Sequence, residues 1–95
     1  MEIDKMLTVS TAHISAESND WLARAGSGSE ASDIVVYLKA DEGYFIYVPE
    51  RSDFIEKDIP GDIVKCMELA CENGCSWLCL DRDGMEVDEF EVYDW

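Results

Sequence analysis

Two β-rich runs, Asp33-Ile34-Val35-Val36-Tyr37-Leu38-Lys39 and Gly43-Tyr44-Phe45-Ile46-Tyr47-Val48, flank the short stretch Ala40-Asp41-Glu42. Branched and aromatic side chains favour a pleated backbone, and Ala40-Asp41-Glu42-Gly43 has the chemistry of a reversing turn. An antiparallel hairpin is predicted here. It constrains the fold more than any other feature, because any sheet must be built outward from it. Pro49 ends the second strand, since it lacks a backbone donor.

The flanking segments supply the remaining elements. Leu7-Thr8-Val9-Ser10-Thr11 alternates apolar and hydroxyl residues, which predicts a short strand. Ser15 can cap a helix that runs to about Ala25, with Trp21, Leu22 and Ala25 on its apolar face and Gly26 as its stop. Residues 27–32 read as a small, mobile polar loop, and residues 50–58 as a charged connection carrying one apolar pair, Phe54-Ile55. Pro60 suits the first turn of a second helix and Asp62 its positive end. Ile63, Cys66, Met67, Ala70 and Cys71 follow helical spacing, and Asn73-Gly74 is a stop. Ser76-Trp77-Leu78-Cys79-Leu80 is apolar in both parities and reads as a largely buried strand. After a turn at Asp81-Arg82-Asp83-Gly84, the tail carries Val87, Phe90, Val92, Tyr93 and Trp95. It forms either a last edge strand or an arm folded back on the body, because these side chains would otherwise lie exposed.

The order strand, helix, strand, strand, helix, strand predicts an α+β fold of the ferredoxin-like βαββαβ kind. One domain spans residues 1–95, with an antiparallel sheet and two helices on one face.

Charge sets the functional expectation. The chain has 22 Asp and Glu against 7 Lys and Arg, a net charge of −15. Its 47% hydrophobic content separates it from disordered acidic tails. Direct nucleic-acid binding and attachment to anionic membranes both need an excess of cations, which it lacks. No apolar run approaches the roughly 20 residues of a membrane helix. No basic start followed by an apolar stretch marks a secretory signal, so a cytoplasmic location with reduced thiols is expected.

Little in the sequence points to catalysis. The four cysteines, Cys66, Cys71, Cys75 and Cys79, lack the usual paired spacing of a zinc site and read as small hydrophobes. His13 is the only histidine and reads as a surface or capping residue. Asp81-x-Asp83-Gly84 places its glycine too early for an EF-hand loop and reads as a turn. No phosphate-binding loop or nucleophile elbow is present. Neither an enzyme, a cofactor nor a metal is expected.

The acids gather in two segments. Glu50, Asp53, Glu56, Asp58 and Asp62 line the approach to the second helix, with Asp41 and Glu42 added at the hairpin tip. Asp81, Asp83, Glu86, Asp88, Glu89, Glu91 and Asp94 crowd the last 15 residues. Solubility, for which a net charge of about 2–8 suffices, and a high-salt habitat are the plain explanations. The functional one is a surface that imitates the phosphate rows of DNA, which carry one charge per about 1.7 Å of axis. Such a monomer binds a basic DNA-binding protein through these carboxylates, with fast, salt-sensitive association.

Leu7-Thr8-Val9-Ser10-Thr11-Ala12-His13-Ile14, the stretch 70–77 with Asn73-Gly74-Cys75, and the ending Asp81-Arg82-Asp83-Gly84 … Val92-Tyr93-Asp94-Trp95 resemble a family of short, uncharacterised proteins of bacterial plasmids and integrative elements. The size, acidity and element order also resemble acidic anti-CRISPR proteins that inhibit type I Cascade complexes. These resemblances imply action in the bacterial host cytoplasm. The target they imply is a Cascade subunit that reads the PAM, blocked without catalysis. An accessory or antitoxin-like protein that neutralises another basic partner is the alternative.

Overall fold

The computed structural model describes residues 1–28 and 33–95; most of the polar loop expected at 27–32 therefore lies outside the described residues. Among the described residues four strands and three α-helices are formed. The strands are β1 (Met6–Ser10), β2 (Val36–Lys39), β3 (Gly43–Tyr47) and β4 (Trp77–Asp81). The helices are α1 (Ala16–Ser27), α2 (Arg51–Phe54) and α3 (Gly61–Glu72). A 3-10 turn, Thr11–His13, joins β1 to α1.

The hairpin is present as β2 and β3, with Val36 opposite Ile46 and Lys39 opposite Gly43. The α+β class holds, but the antiparallel ferredoxin-like sheet does not. The sheet is mixed, in the order β1-β4-β3-β2. β4 runs antiparallel to β3 and parallel to β1, pairing Leu7 with Leu78 and Val9 with Leu80. The cause lies in the side chains of the two outer segments. An interior strand is screened by a neighbour on either side, which favours apolar residues on both faces, and β4 has them, with Leu78 and Leu80 on one and Trp77 and Cys79 on the other. β1 presents Thr8 and Ser10 on its second face and suits an edge.

The helices cover one face. Leu22 of α1 and Ile63, Cys66, Met67 and Ala70 of α3 share a core with Val9, Val36, Tyr44, Ile46, Leu78 and Leu80. α1 begins at Ser15, whose hydroxyl accepts the Ser18 N–H at 3.1 Å. It continues through Gly26 and ends at Gly28, which takes a left-handed φ of 78°. Gly26 was expected as the stop, but it serves close packing. A Cβ there would lie 2.6 Å from Leu38 Cδ2, so its absence lets α1 approach β2.

Helix α2 falls within the segment expected to be a charged connection. It turns Phe54 into the core, where its side chain has no exposed surface. α3 starts after Pro60 and stops at Asn73-Gly74 as expected, with Gly74 at a φ of 70°. Truncation of Phe54→Ala is expected to cost about 3–5 kcal/mol through the cavity it leaves. Urea unfolding will show this as a lower midpoint with an unchanged slope.

Candidate functional site

The tail forms no strand. Residues 82–95 run as an irregular arm across the end of β1 and the entry to α1. Its anchors are backbone bonds from Ser10 N–H to Met85 C=O (2.9 Å) and from Tyr93 N–H to Ala12 C=O (2.7 Å). Trp95 Nε1–H donates to Ile14 C=O at 2.8 Å.

His13 completes the clasp, and it is neither a surface nor a simple capping residue. It is 3% exposed, and both ring nitrogens are used. The Val87 N–H donates to Nε2 at 2.7 Å. Nδ1 lies 2.9 Å from the Glu91 carbonyl oxygen. Because a backbone N–H only donates and a carbonyl only accepts, the ring is neutral with its proton on Nδ1. Phe90 packs edge-on against the imidazole, with ring centroids 5.5 Å apart.

The fourteen acids expected to meet a partner divide into two held internally, one half-buried and eleven exposed. The carboxylate of Asp62 accepts from Ser15 N–H (2.8 Å), Ser18 Oγ–H (2.6 Å) and Ile63 N–H (2.9 Å), tying the starts of α1 and α3 together. Asp81, expected in a turn, is the buried last residue of β4. It pairs with Lys39 and accepts the Asp83 N–H at 2.8 Å. The Lys39 ammonium and the Asp83 N–H hold the Asp81 carboxyl below the usual carboxylate range, and Asp81 in turn raises Lys39. Glu42 is half-buried and contacts Lys39 at 3.4 Å.

The others are exposed: Asp41, Glu50, Asp53, Glu56, Asp58, Asp83, Glu86, Asp88, Glu89, Glu91 and Asp94. The accessible surface is 5961 Å², or about 400 Å² per unit of net charge. Cations oppose the expected acids at few points. Besides Lys39, Arg51 bonds Glu68 at 2.9 Å, which occupies the cation nearest Glu50 and Asp53 in the chain.

Among the described residues, the only cluster with metal-ligand geometry is Glu42, Asp81 and Asp83, whose carboxylates lie within 4.8 Å of one another. Lys39 already bonds two of them. The cysteines do not converge. Cys66 and Cys79 are buried, Cys71 and Cys75 half-buried, and all are free. Burial pushes the Cys66 thiol up to about 12 and also raises Cys71 and Cys79. A cleft of about 660 Å³ lies between the hairpin tip, α1 and the arm, lined among others by Asn19, Glu42, Tyr44, Arg82, Tyr93 and Trp95. Sequence reasoning missed this cleft and the His13 clasp. Both arise where the tail meets β1, a contact that no local pattern encodes.

These features define a small acidic α+β domain, a helix-covered mixed sheet closed by a clasped, carboxylate-rich arm. Residues 6–95 match the model described as "Family of unknown function (DUF5983) C-terminal domain", and the chain belongs to that family. Comparison with curated proteins and with solved structures gives no match. No helix among the described residues is long and apolar enough to cross a membrane.

Two outcomes follow. His13→Ala leaves the Val87 N–H and the Glu91 carbonyl without partners, at about 1–3 kcal/mol each. Amide exchange at Val87 and Tyr93 should rise at least about tenfold, with α3 amides unchanged. Alkylation followed by mass spectrometry should label Cys71 and Cys75 before Cys79, and Cys66 only on unfolding.

Proposed function

We propose that this chain is a DNA mimic that binds a basic protein surface and excludes nucleic acid from it. The observation that carries this reading is the state of the acids in the segments 41–58 and 82–94. Most are exposed, and among the described residues Glu50, Asp53, Glu56, Asp58, Glu86, Asp88, Glu89 and Asp94 form no side-chain hydrogen bond or ion pair. Their mutual repulsion costs stability. Carboxylates held in this way can replace phosphates against lysine and arginine side chains, and the bonds formed are charge-assisted.

The most specific form of the proposal is an anti-defence role: an anti-CRISPR protein that occupies the PAM-reading surface of a type I Cascade complex. Action is by occupancy, so no nucleophile or metal takes part. Charge complementarity of this kind acts chiefly on association rate and weakens with salt.

The test is competition. Purified type I Cascade is titrated with the protein, and target-DNA binding is followed by gel shift. DNA binding should fall as the protein is added. Combined Glu50→Lys, Asp53→Lys and Glu56→Lys should raise the half-inhibiting concentration at least about tenfold without lowering the thermal unfolding midpoint. Undisturbed DNA binding at excess protein would remove the anti-CRISPR reading.

A further inference from the structure

Among the described residues, no helix covers the second face of the sheet. Strand alternation and register place Met6, Tyr37, Phe45, Tyr47 and Trp77 on it, and Val35 lies directly before β2. The Trp77 ring lies 5.6 Å from Tyr47 and 6.2 Å from Tyr37, centroid to centroid. Asp4, Met6, Tyr37, Phe45 and Trp77 line a shallow hollow of about 390 Å³. Met6, Val35, Tyr37 and Tyr47 are 42–56% exposed. A chain of net charge −15 thus keeps a whole sheet face free of unpaired charge, because the only ionic residues in its strands, Lys39 and Asp81, bond each other.

The acids stand around this face instead. Asp4 borders the hollow, and exposed Asp33 precedes β2 at the same end. At the opposite end, exposed Asp41 and Asp83 flank the Lys39–Asp81 pair. An apolar centre within a charged rim is the anatomy of a protein interface.

Area and charge together select the occupant. Four strands about 4.8 Å apart, each about five residues long at roughly 3.4 Å per residue, give about 320 Å² in plan. A stable interface takes about 800 Å² from each partner. The remainder must come from the surrounding rim. A second copy would set acids against acids there, whereas lysine and arginine would be complementary.

We infer that the open sheet face is the centre of a docking surface for a basic protein. An apolar patch of the partner covers Tyr37, Tyr47 and Trp77, and cations around that patch meet Asp4, Asp33, Asp41 and Asp83. This rests on the reading of the chain as a binder of a basic protein, and it adds where the contact is centred.

Two synthetic probes test it at 150 mM salt: an amphipathic lysine–leucine helical peptide and a lysine-only peptide of equal charge. Affinity is read by calorimetry and location by amide shifts. The lysine–leucine peptide should bind at least about tenfold more tightly and shift the amides of Tyr37, Phe45, Tyr47 and Trp77. Combined Tyr37→Ser and Tyr47→Ser should abolish that difference and leave lysine-only binding unchanged. Equal affinities with unmoved face amides would overturn the inference and leave the anionic reading standing. Binding of neither peptide would remove the anionic reading itself. Concentration-dependent dimers that shift the same amides without peptide would assign the face to a second copy and overturn the proposal.

Discussion

The placement of β4 inside the sheet is the constraint on which the other contacts depend. It joins the β2–β3 hairpin to β1, which has no other partner in the sheet. A two-stranded hairpin alone is marginal in water, so the sheet gains its stability when β4 docks. Leu78 and Leu80 are fully buried, at about 1.5–3 kcal/mol each, and they meet both β1 and β3 across the ladder. The parallel pairing of β1 with β4 also brings residues near the two ends of the chain together. The arm leaves from the end of β4 and therefore starts beside the turn that holds His13.

Cohesion and charge are kept apart in this molecule. The core is apolar, and the acids that do enter the interior have specific donors. Asp62 receives three hydrogen bonds, and Asp81 has Lys39 and a backbone N–H. Such groups offset their desolvation through partners. Because the depressed Asp81 pKa is the folded value, its contribution is complete above the ordinary carboxylate range and is lost as pH falls through the lowered value. Among the described residues Glu50, Asp53, Glu56, Asp58, Glu86, Asp88, Glu89 and Asp94 have no such partners, and their effect on the folded state is mutual repulsion.

The sequence pattern revealed local structure well and pairing poorly. The hairpin, the strand at Trp77–Asp81 and the helix between Pro60 and Asn73 were legible because each is marked by its own residues. Two-sided apolarity even identified β4 as buried. Element order alone suggested a ferredoxin-like arrangement, because it does not say which strand lies beside which. That depends on comparing the second faces of β1 and β4, Thr8 and Ser10 against Trp77 and Cys79. Gly26 was misread because its role is a contact with Leu38, a residue in another element. The short helix α2 was missed because Glu50 to Asp58 is dominated by charge, with Phe54 as its one strong core residue. Of the acidic site, exposure was legible for most positions. The internal bonds of Asp62 and Asp81 were not, since their donors come from Ser15, Ser18 and Lys39, all more than 40 residues away.

How the arm is attached bears on how its acids can act. Its anchors are backbone groups, the neutral His13 ring and the Trp95 indole. The carboxylates of Glu86, Asp88, Glu89 and Asp94 take no part, and Glu91 contributes its backbone carbonyl. Neutral anchors are little affected by ionic strength, whereas repulsion between the carboxylates is screened within about 8 Å at physiological salt. Added salt therefore leaves the arm in place while weakening any attraction to a basic surface. The carboxylates are thus fixed in place without a partner, so any association they support would carry less ordering cost than a free acidic tail incurs. An arm anchored through its own acids could not combine these properties, because each ion pair made to hold it would withdraw a charge from the surface.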